Sequence, residues 1–268
     1  MRYAVSRPLG ALIAVALALC PVDIALAQTQ DFQLTGTFGA DYSNGSYDTD
    51  HNTDVMLGLS TLSVKTGNLK FAASVPYMRI SGRGLLVFDA AGNPTVINRR
   101  STIAPDVRTG FGDVNLSATY AIPPAILDNF EVRATGRVKL PTASERRRIS
   151  TGKADFGMSV DVSHPYGIWG PFVTLGYLFA GQPQTFVLRD TVSVSAGTSV
   201  ELSPHLVAVI SYDHDSASSP RLVSSQEMFG SLSWLLNDRI TLTGYGTAGL
   251  SSGSPGVGGG LLVAYAFN

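Results

Sequence analysis

Cysteine is all but missing from this chain. Cys20 is the only one in 268 residues, which excludes an internal disulfide and any thiolate metal cluster. Charge is scarce too: Asp, Glu, Lys and Arg make up 15% of the residues, against ~25% in an average soluble domain. The formal net charge is −1, so no basic excess exists to draw a polyanion, and nucleic acid is not an expected partner. The four histidines, His51, His164, His205 and His214, are scattered, so neither a metal nor a cofactor is expected. Beyond the first residues no stretch reaches the ~18 apolar residues that a spanning helix needs.

Residues 1–27 read as a secretory signal. Arg2 and Arg7 precede the apolar run "ALIAVALALC", and Ala25 and Ala27 supply the small residues before a cut after Ala27. A lipoprotein reading would acylate Cys20, but bulky Leu19 stands where a small residue is wanted. Cleavage removes the only cysteine. The exported remainder, 28–268, is then one domain whose stability must come from pairing and burial alone.

What the chain does have is glycine, 28 residues of it, and a period of two. Alternation divides the remainder into about twelve strands near 31–43, 54–65, 69–80, 111–122, 130–140, 154–163, 171–181, 190–201, 206–215, 225–236, 239–250 and 257–268. Each is close to the ~10 residues of a tilted membrane strand. "EVRATGRVKL" at 131–140 shows the pattern: Glu131, Arg133, Thr135, Arg137 and Lys139 point one way, and Val132, Ala134, Gly136, Val138 and Leu140 the other. In a soluble sandwich the charged wall would meet water and the apolar wall a core. In a membrane barrel the apolar wall meets lipid and the charges an enclosed lumen.

Three signals favour the barrel. Connections alternate between short ("TGN", "PPAILDN", "HPYGIWG", "LSPH", "ND") and mostly longer ("NGSYDTDHNT", the stretch after Ile80, "PTASERRRISTGK", "QPQTFVLR", "SASSPRLVS"). Short inner turns and long outer loops are the arrangement of a Gram-negative outer-membrane barrel. Aromatics (Phe32, Tyr77, Tyr120, Phe130, Tyr166, Trp169, Phe172, Phe179, Tyr212, Trp234, Tyr265 and Phe267) cluster near strand ends, as girdles require. The closing "LLVAYAFN" is similar to the aromatic-ended strand read by the barrel-assembly machinery, an expected partner beside outer-membrane lipid and lipopolysaccharide. The expected fold is an all-β, antiparallel up-and-down transmembrane barrel.

The charged wall is expected to line that lumen. A hairpin centred on residue 126 sets Asp113 across from Lys139, and one centred on 147 sets Lys139 across from Asp155 and Arg133 across from Asp161. Opposite charges across a strand pair contribute roughly 0.2–1 kcal/mol each. Asp113, Glu131, Arg133, Arg137, Lys139, Asp155 and Asp161 thus form either a rigidifying ladder or the constriction of a pore. Twelve strands fall between the filled eight-stranded and the open sixteen-stranded interior, which leaves both open. The segment 81–110 holds a hairpin pattern, "LLVFD" and "PTVIN" around "AAGN", that would extend the sheet or fold inward as a plug. "ERRR" at 145–148 is a solvated loop run, or a contact for lipopolysaccharide phosphates.

The stretches "PDVRTGFGDVNLSATYAIP" and "VKLPTASERRRISTGKADFGMSV" resemble a family of bacterial outer-membrane proteins named after the meta pathway of phenol degradation. Gly110, Gly112 and Asp113 match its "GxGD" strand start, Leu140, Pro141 and Thr142 its Leu-Pro-Thr turn, and Gly152 and Asp155 its "GxxD" start. "GVGGGLLVAYAF" looks like its last strand. The chain departs from the pattern at Ala143, where glycine commonly follows the turn, and at the extra Asn268. The resemblance implies an outer-membrane channel or transporter for small hydrophobic or aromatic molecules, with no catalytic residues.

Two other readings compete. "SYDHDSAS" puts Tyr212, His214 and Ser216 on one lipid-facing side of a strand's outer end. Outer-membrane phospholipases set a His-x-Ser pair in such a place. Here Ala217 and Ser218 replace the Asn-Gly that follows in the phospholipase, and only Gln226 offers an orienting carboxamide. The other alternative is a barrel without transport, serving a structural or surface role.

Overall fold

The structure, a computed structural model, describes residues 32–47, 51–82, 86–88, 94–96, 106–123, 129–144, 147, 149–184, 187–220 and 222–267. The signal-sequence reading of 1–27 and most of the 81–110 segment lie outside these.

Fifteen strands form: β1 (Gln33–Gly45), β2 (Thr53–Thr66), β3 (Leu69–Gly82), β4 (Leu86–Phe88), β5 (Pro94–Val96), β6 (Asp106–Phe111), β7 (Val114–Ile122), β8 (Glu131–Leu140), β9 (Asp155–Ser163), β10 (Trp169–Phe179), β11 (Thr191–Ser203), β12 (Leu206–Asp215), β13 (Ser225–Asn237), β14 (Ile240–Gly249) and β15 (Val257–Ala266). β4 and β5 pair as the short hairpin expected around "AAGN". The others form one antiparallel sheet in which each strand pairs with its sequence neighbour, and β1 pairs with both β2 and β15. The sheet is a closed barrel. Because β6 and β7 both pair with β3, they are two halves of one wall strand, and the barrel has twelve staves.

The pattern of exposure is inside out. Lipid-facing positions are apolar and open: Phe38, Met56, Leu62, Phe71, Leu116, Phe156, Met158, Val160, Leu175, Ile210, Leu232 and Leu261 are all exposed. Enclosed positions are mostly polar, among them Thr37, Ser63, Ser74, Thr174, Ser195, Ser199, Ser211 and Ser233. A water-soluble protein has the reverse arrangement, so the oily face of each strand is the one that meets lipid.

Exposed aromatics form a band at each end. Phe32, Phe71, Tyr120, Phe130, Tyr166, Trp169, Trp234, Tyr265 and Phe267 ring the short-turn end, and Tyr42, Tyr77, Phe111, Phe156, Tyr177, Phe179 and Tyr212 the long-loop end. One aromatic corrects the sequence expectation. Phe172 shares the face of Gly170, Thr174 and Leu178, so it points inward and packs with Val209, Phe229 and Tyr245.

Candidate lumen site

The inward residues of β8 and β9 meet as their alternation predicts. Lys139 lies directly across from Asp155, and Arg133 across from Asp161. The β7–β8 pairing differs from expectation by two residues: Asn115, not Asp113, lies across from Lys139, and Ser117 across from Arg137. Asp113 is not on the ladder at all, because a bulge lies just before β7. β3 pairs with β7 in one register and with β6 in a register shifted by one residue, and Gly112 and Asp113 stand outside both strands.

The bulge turns Asp113 into an anchor. Its Oδ1 accepts the Ala143 N–H at 2.9 Å, and its Oδ2 accepts the Ser150 hydroxyl. Thr142 Oγ1 accepts the Val114 N–H at 2.9 Å. Lys139 Nζ lies 2.6 Å from Asp155 Oδ2 and 3.7 Å from Asp113 Oδ2, and donates to Thr151 Oγ1 at 3.2 Å. Asp155 Oδ1 accepts the Gly181 N–H at 2.9 Å. Lys139, Asp155 and Asp113 are 1%, 1% and 5% exposed, so each charge depends on these partners for its solvation.

The same contacts hold down the connection between β8 and β9. Ile149 is fully buried against Val55, Leu57, Met78, Ile80, Tyr47 and Ala143. Val55, Leu57, Met78 and Ile80 sit on the inward faces of β2 and β3 near their outer ends. The connection therefore folds into the outer mouth and is seated on an apolar patch there. Arg147 Nη1 donates to the Thr109 carbonyl at 2.7 Å, which directs this member of the "ERRR" run at β6. Glu145, Arg146 and Arg148 lie outside the described residues. A Cβ on Gly110 would come within 2.8 Å of Arg147, and one on Gly112 within 2.5 Å of Met78, so a side chain at either position would displace one of these two. The family-like residues scattered through the sequence are thus one anchorage in space.

Lower in the lumen, the half-buried Arg133 and Arg137 make no ion pair among the described residues. Asp161, across from Arg133, accepts the Thr174 hydroxyl at 2.6 Å instead. Glu131 faces inward near the short-turn end. On the far side stands an acidic sector that the sequence reading passed over: Asp41 on β1, Asp213 on β12 and Glu227 on β13, all buried. Asp41 accepts the Tyr245 hydroxyl at 2.7 Å, Asp213 that of Ser211 at 3.1 Å together with that of Ser195, and Glu227 that of Ser225 at 3.0 Å. Asp213 and Glu227 are direct cross-strand partners, a like-charge placement that works against folding. The signal for these residues was present in "SYDHD", whose Asp213 and Asp215 oppose the lipid-facing Tyr212 and His214.

His214 and Ser216, the alternative hydrolase pair, stand at the outer end of β12 and just beyond it. Ser216 Oγ accepts the Val192 N–H at 2.8 Å, and among the described residues no hydrogen bond joins it to His214. Gln226 lies across from His214, on β13, with no hydrogen bond to it among the described residues.

These features define the class: a transmembrane β-barrel of the outer membrane, with a charged lumen and an inward-folded outer loop. An outer membrane channel from Pseudomonas putida F1 has this fold, with a TM-score of 0.68 at 12% identity, covering 90% of this chain and 97% of that one. Looser likenesses link the chain to the translocator domain of the autotransporter NalP from Neisseria meningitidis (TM-score 0.48, 11% identity, 91% of each chain) and the P. putida toluene transporter TodX (0.45, 13%, 90% of this chain and 80% of that one). No protein-family model and no curated protein matches the sequence.

Proposed function

We propose that the chain is a passive outer-membrane channel for small hydrophobic or aromatic molecules, of the kind that the "GxGD" and Leu-Pro-Thr motifs suggest. The observation that carries this reading is the unneutralised charge of the lumen. Arg133 and Arg137 have no ion-pair partner among the described residues, and Asp41, Asp213 and Glu227 are held by hydroxyls. A packing that served only to fill the barrel would pair these charges, because an isolated charge away from water costs several kcal/mol. A hydrated lumen lifts that cost, and rings of opposed charge are how pores screen solutes.

Asp113, Lys139 and Asp155 set the rigid collar of this passage, while Glu131, Arg133, Arg137 and Asp161 line its charged waist. The apolar patch of Val55, Leu57, Met78 and Ile80 offers a ring or alkyl group a low-polarity station at the outer mouth. The expected surroundings are outer-membrane lipid and lipopolysaccharide, reached by way of the barrel-assembly machinery. Planar-bilayer recording tests the reading. The refolded barrel should give discrete current steps in KCl, and replacing both Arg133 and Arg137 by glutamine should shift the reversal potential in a salt gradient toward cation preference. Inserted barrels that pass no current would leave only the structural role.

A further inference from the structure

Cross-strand pairing arranges the inward positions in rows. Ser159, Gly176, Ser193 and Asp215 form one row across β9 to β12, and Arg137 and Gly157 begin the next. Between the rows lies a recess in the lumen wall, with about 20 Å³ of room for a water-sized sphere. A single water needs ~10–15 Å³ on this scale, so the recess admits a head group and not a whole solute. Two glycines keep it open: a Cβ on Gly176 would lie 2.2 Å from Ser193 Oγ, and one on Gly157 3.3 Å from Leu178 Cδ1.

The polar groups around the recess are unevenly satisfied. Arg137 has neither an ion pair nor a hydrogen bond among the described residues. Ser159 is 6% exposed, and its Oγ makes no hydrogen bond there either. Buried hydroxyls are otherwise almost always partnered. An unused guanidinium fork beside an unused hydroxyl is a donor set for one carboxylate: the fork takes both oxygens in parallel bonds, and the serine O–H adds a third.

We propose that Arg137 and Ser159 form a head-group notch that binds small organic monocarboxylates. The proposal rests on the channel reading only for the solute's route to the notch; the notch itself is present whether or not the barrel conducts. Calorimetric titration of the full-length barrel, folded in detergent, tests it with benzoate as probe. Benzoate should bind; neutral benzamide should bind at least about ten-fold more weakly. Arg137→Gln should weaken benzoate by a factor of about ten or more, and Ser159→Ala by a few-fold, as expected for a charged and a neutral donor respectively. Arg239→Gln, an exposed charge in the short turn between β13 and β14, should not weaken it. Where Arg137→Gln fails to show the heat-shifted gel mobility of a folded barrel, Arg137→Lys, which keeps the charge and loses the fork, should still bind several-fold more weakly than the parent. No heat from benzoate, or equal affinity in the parent and the folded Arg137 variant, overturns the notch. A barrel that binds benzoate through Arg137 but passes no current keeps the notch and removes the channel.

Discussion

Lys139 carries more of the site than any other residue. Its ammonium is shared by two carboxylates and a hydroxyl, and its removal leaves Asp113 and Asp155 buried with no cation between them. Unpairing a buried ion pair costs about 3–5 kcal/mol. Lys139→Met should therefore lower the stability of the barrel by that amount, read as a shift in the urea midpoint of protein folded into liposomes. Trp169 and Trp234, both exposed on the lipid face, supply the fluorescence signal. An unmoved midpoint would show that the collar is held by hydrogen bonds alone. At this scale much of the site was legible. Lys139, Asp155 and Asp113 stood out because alternate charges on "EVRATGRVKL" and "KADFGMSVDV" could be matched across a hairpin. Asp41, Asp213 and Glu227 were not, because the hydroxyls of Tyr245, Ser195, Ser211 and Ser225 hold them and no basic residue marks them in the sequence.

At the scale of elements, strand faces were readable throughout, since lipid enforces alternation on every stave and a one-residue error would turn charges outward. The register between β8 and β9 was readable for the same reason: only one offset matches Lys139 with Asp155 and Arg133 with Asp161. The β7–β8 register was missed by two because it was anchored on a match of Asp113 with Lys139, and Asp113 stands in a bulge outside β7, a feature that leaves no mark in hydrophobic periodicity. The inward fold of the β8–β9 connection was missed as well. "PTASERRRISTGK" reads as a polar outer loop, yet its single large apolar residue, Ile149, fills an apolar patch made by inward Val55, Leu57, Met78 and Ile80. Those four line the outer mouth, apart from the inward cluster of Phe172, Val209 and Phe229. Ile149→Asp would set a carboxylate among them without a partner, which favours the withdrawn loop. If this connection narrows the outer mouth, the single-channel conductance of Ile149→Asp should rise by roughly a factor of two or more, as expected when a constriction widens. Heat-shifted gel mobility should confirm that the barrel remains folded. An unchanged conductance would place the limiting constriction deeper, at the Arg133 and Arg137 waist.

For the molecule as a whole, the argument turns on which solvent each wall meets. Two neighbouring positions near the middle of β10 make the contrast sharp: Leu175 is 57% exposed and Thr174 is 1% exposed. In water this would be a misfolded surface, with a leucine outside and a threonine within. In a bilayer it is the stable order, since lipid gives the leucine an apolar neighbour and the enclosed Asp161 takes the threonine's hydroxyl. An arginine on the lipid face costs about 2–4 kcal/mol at the bilayer midplane, falling to about 0–1 near the interfaces. Leu175→Arg should therefore lower folding stability in liposomes by about 2–4 kcal/mol, and the same change at Leu236, exposed near the short-turn end of β13, by far less. Equal losses at the two depths would mean that the outer wall does not lie in hydrocarbon. The lumen would then lose its reason for being charged, because only a wall sealed by lipid makes the interior the one place where Arg133, Arg137 and their opposing carboxylates can meet water.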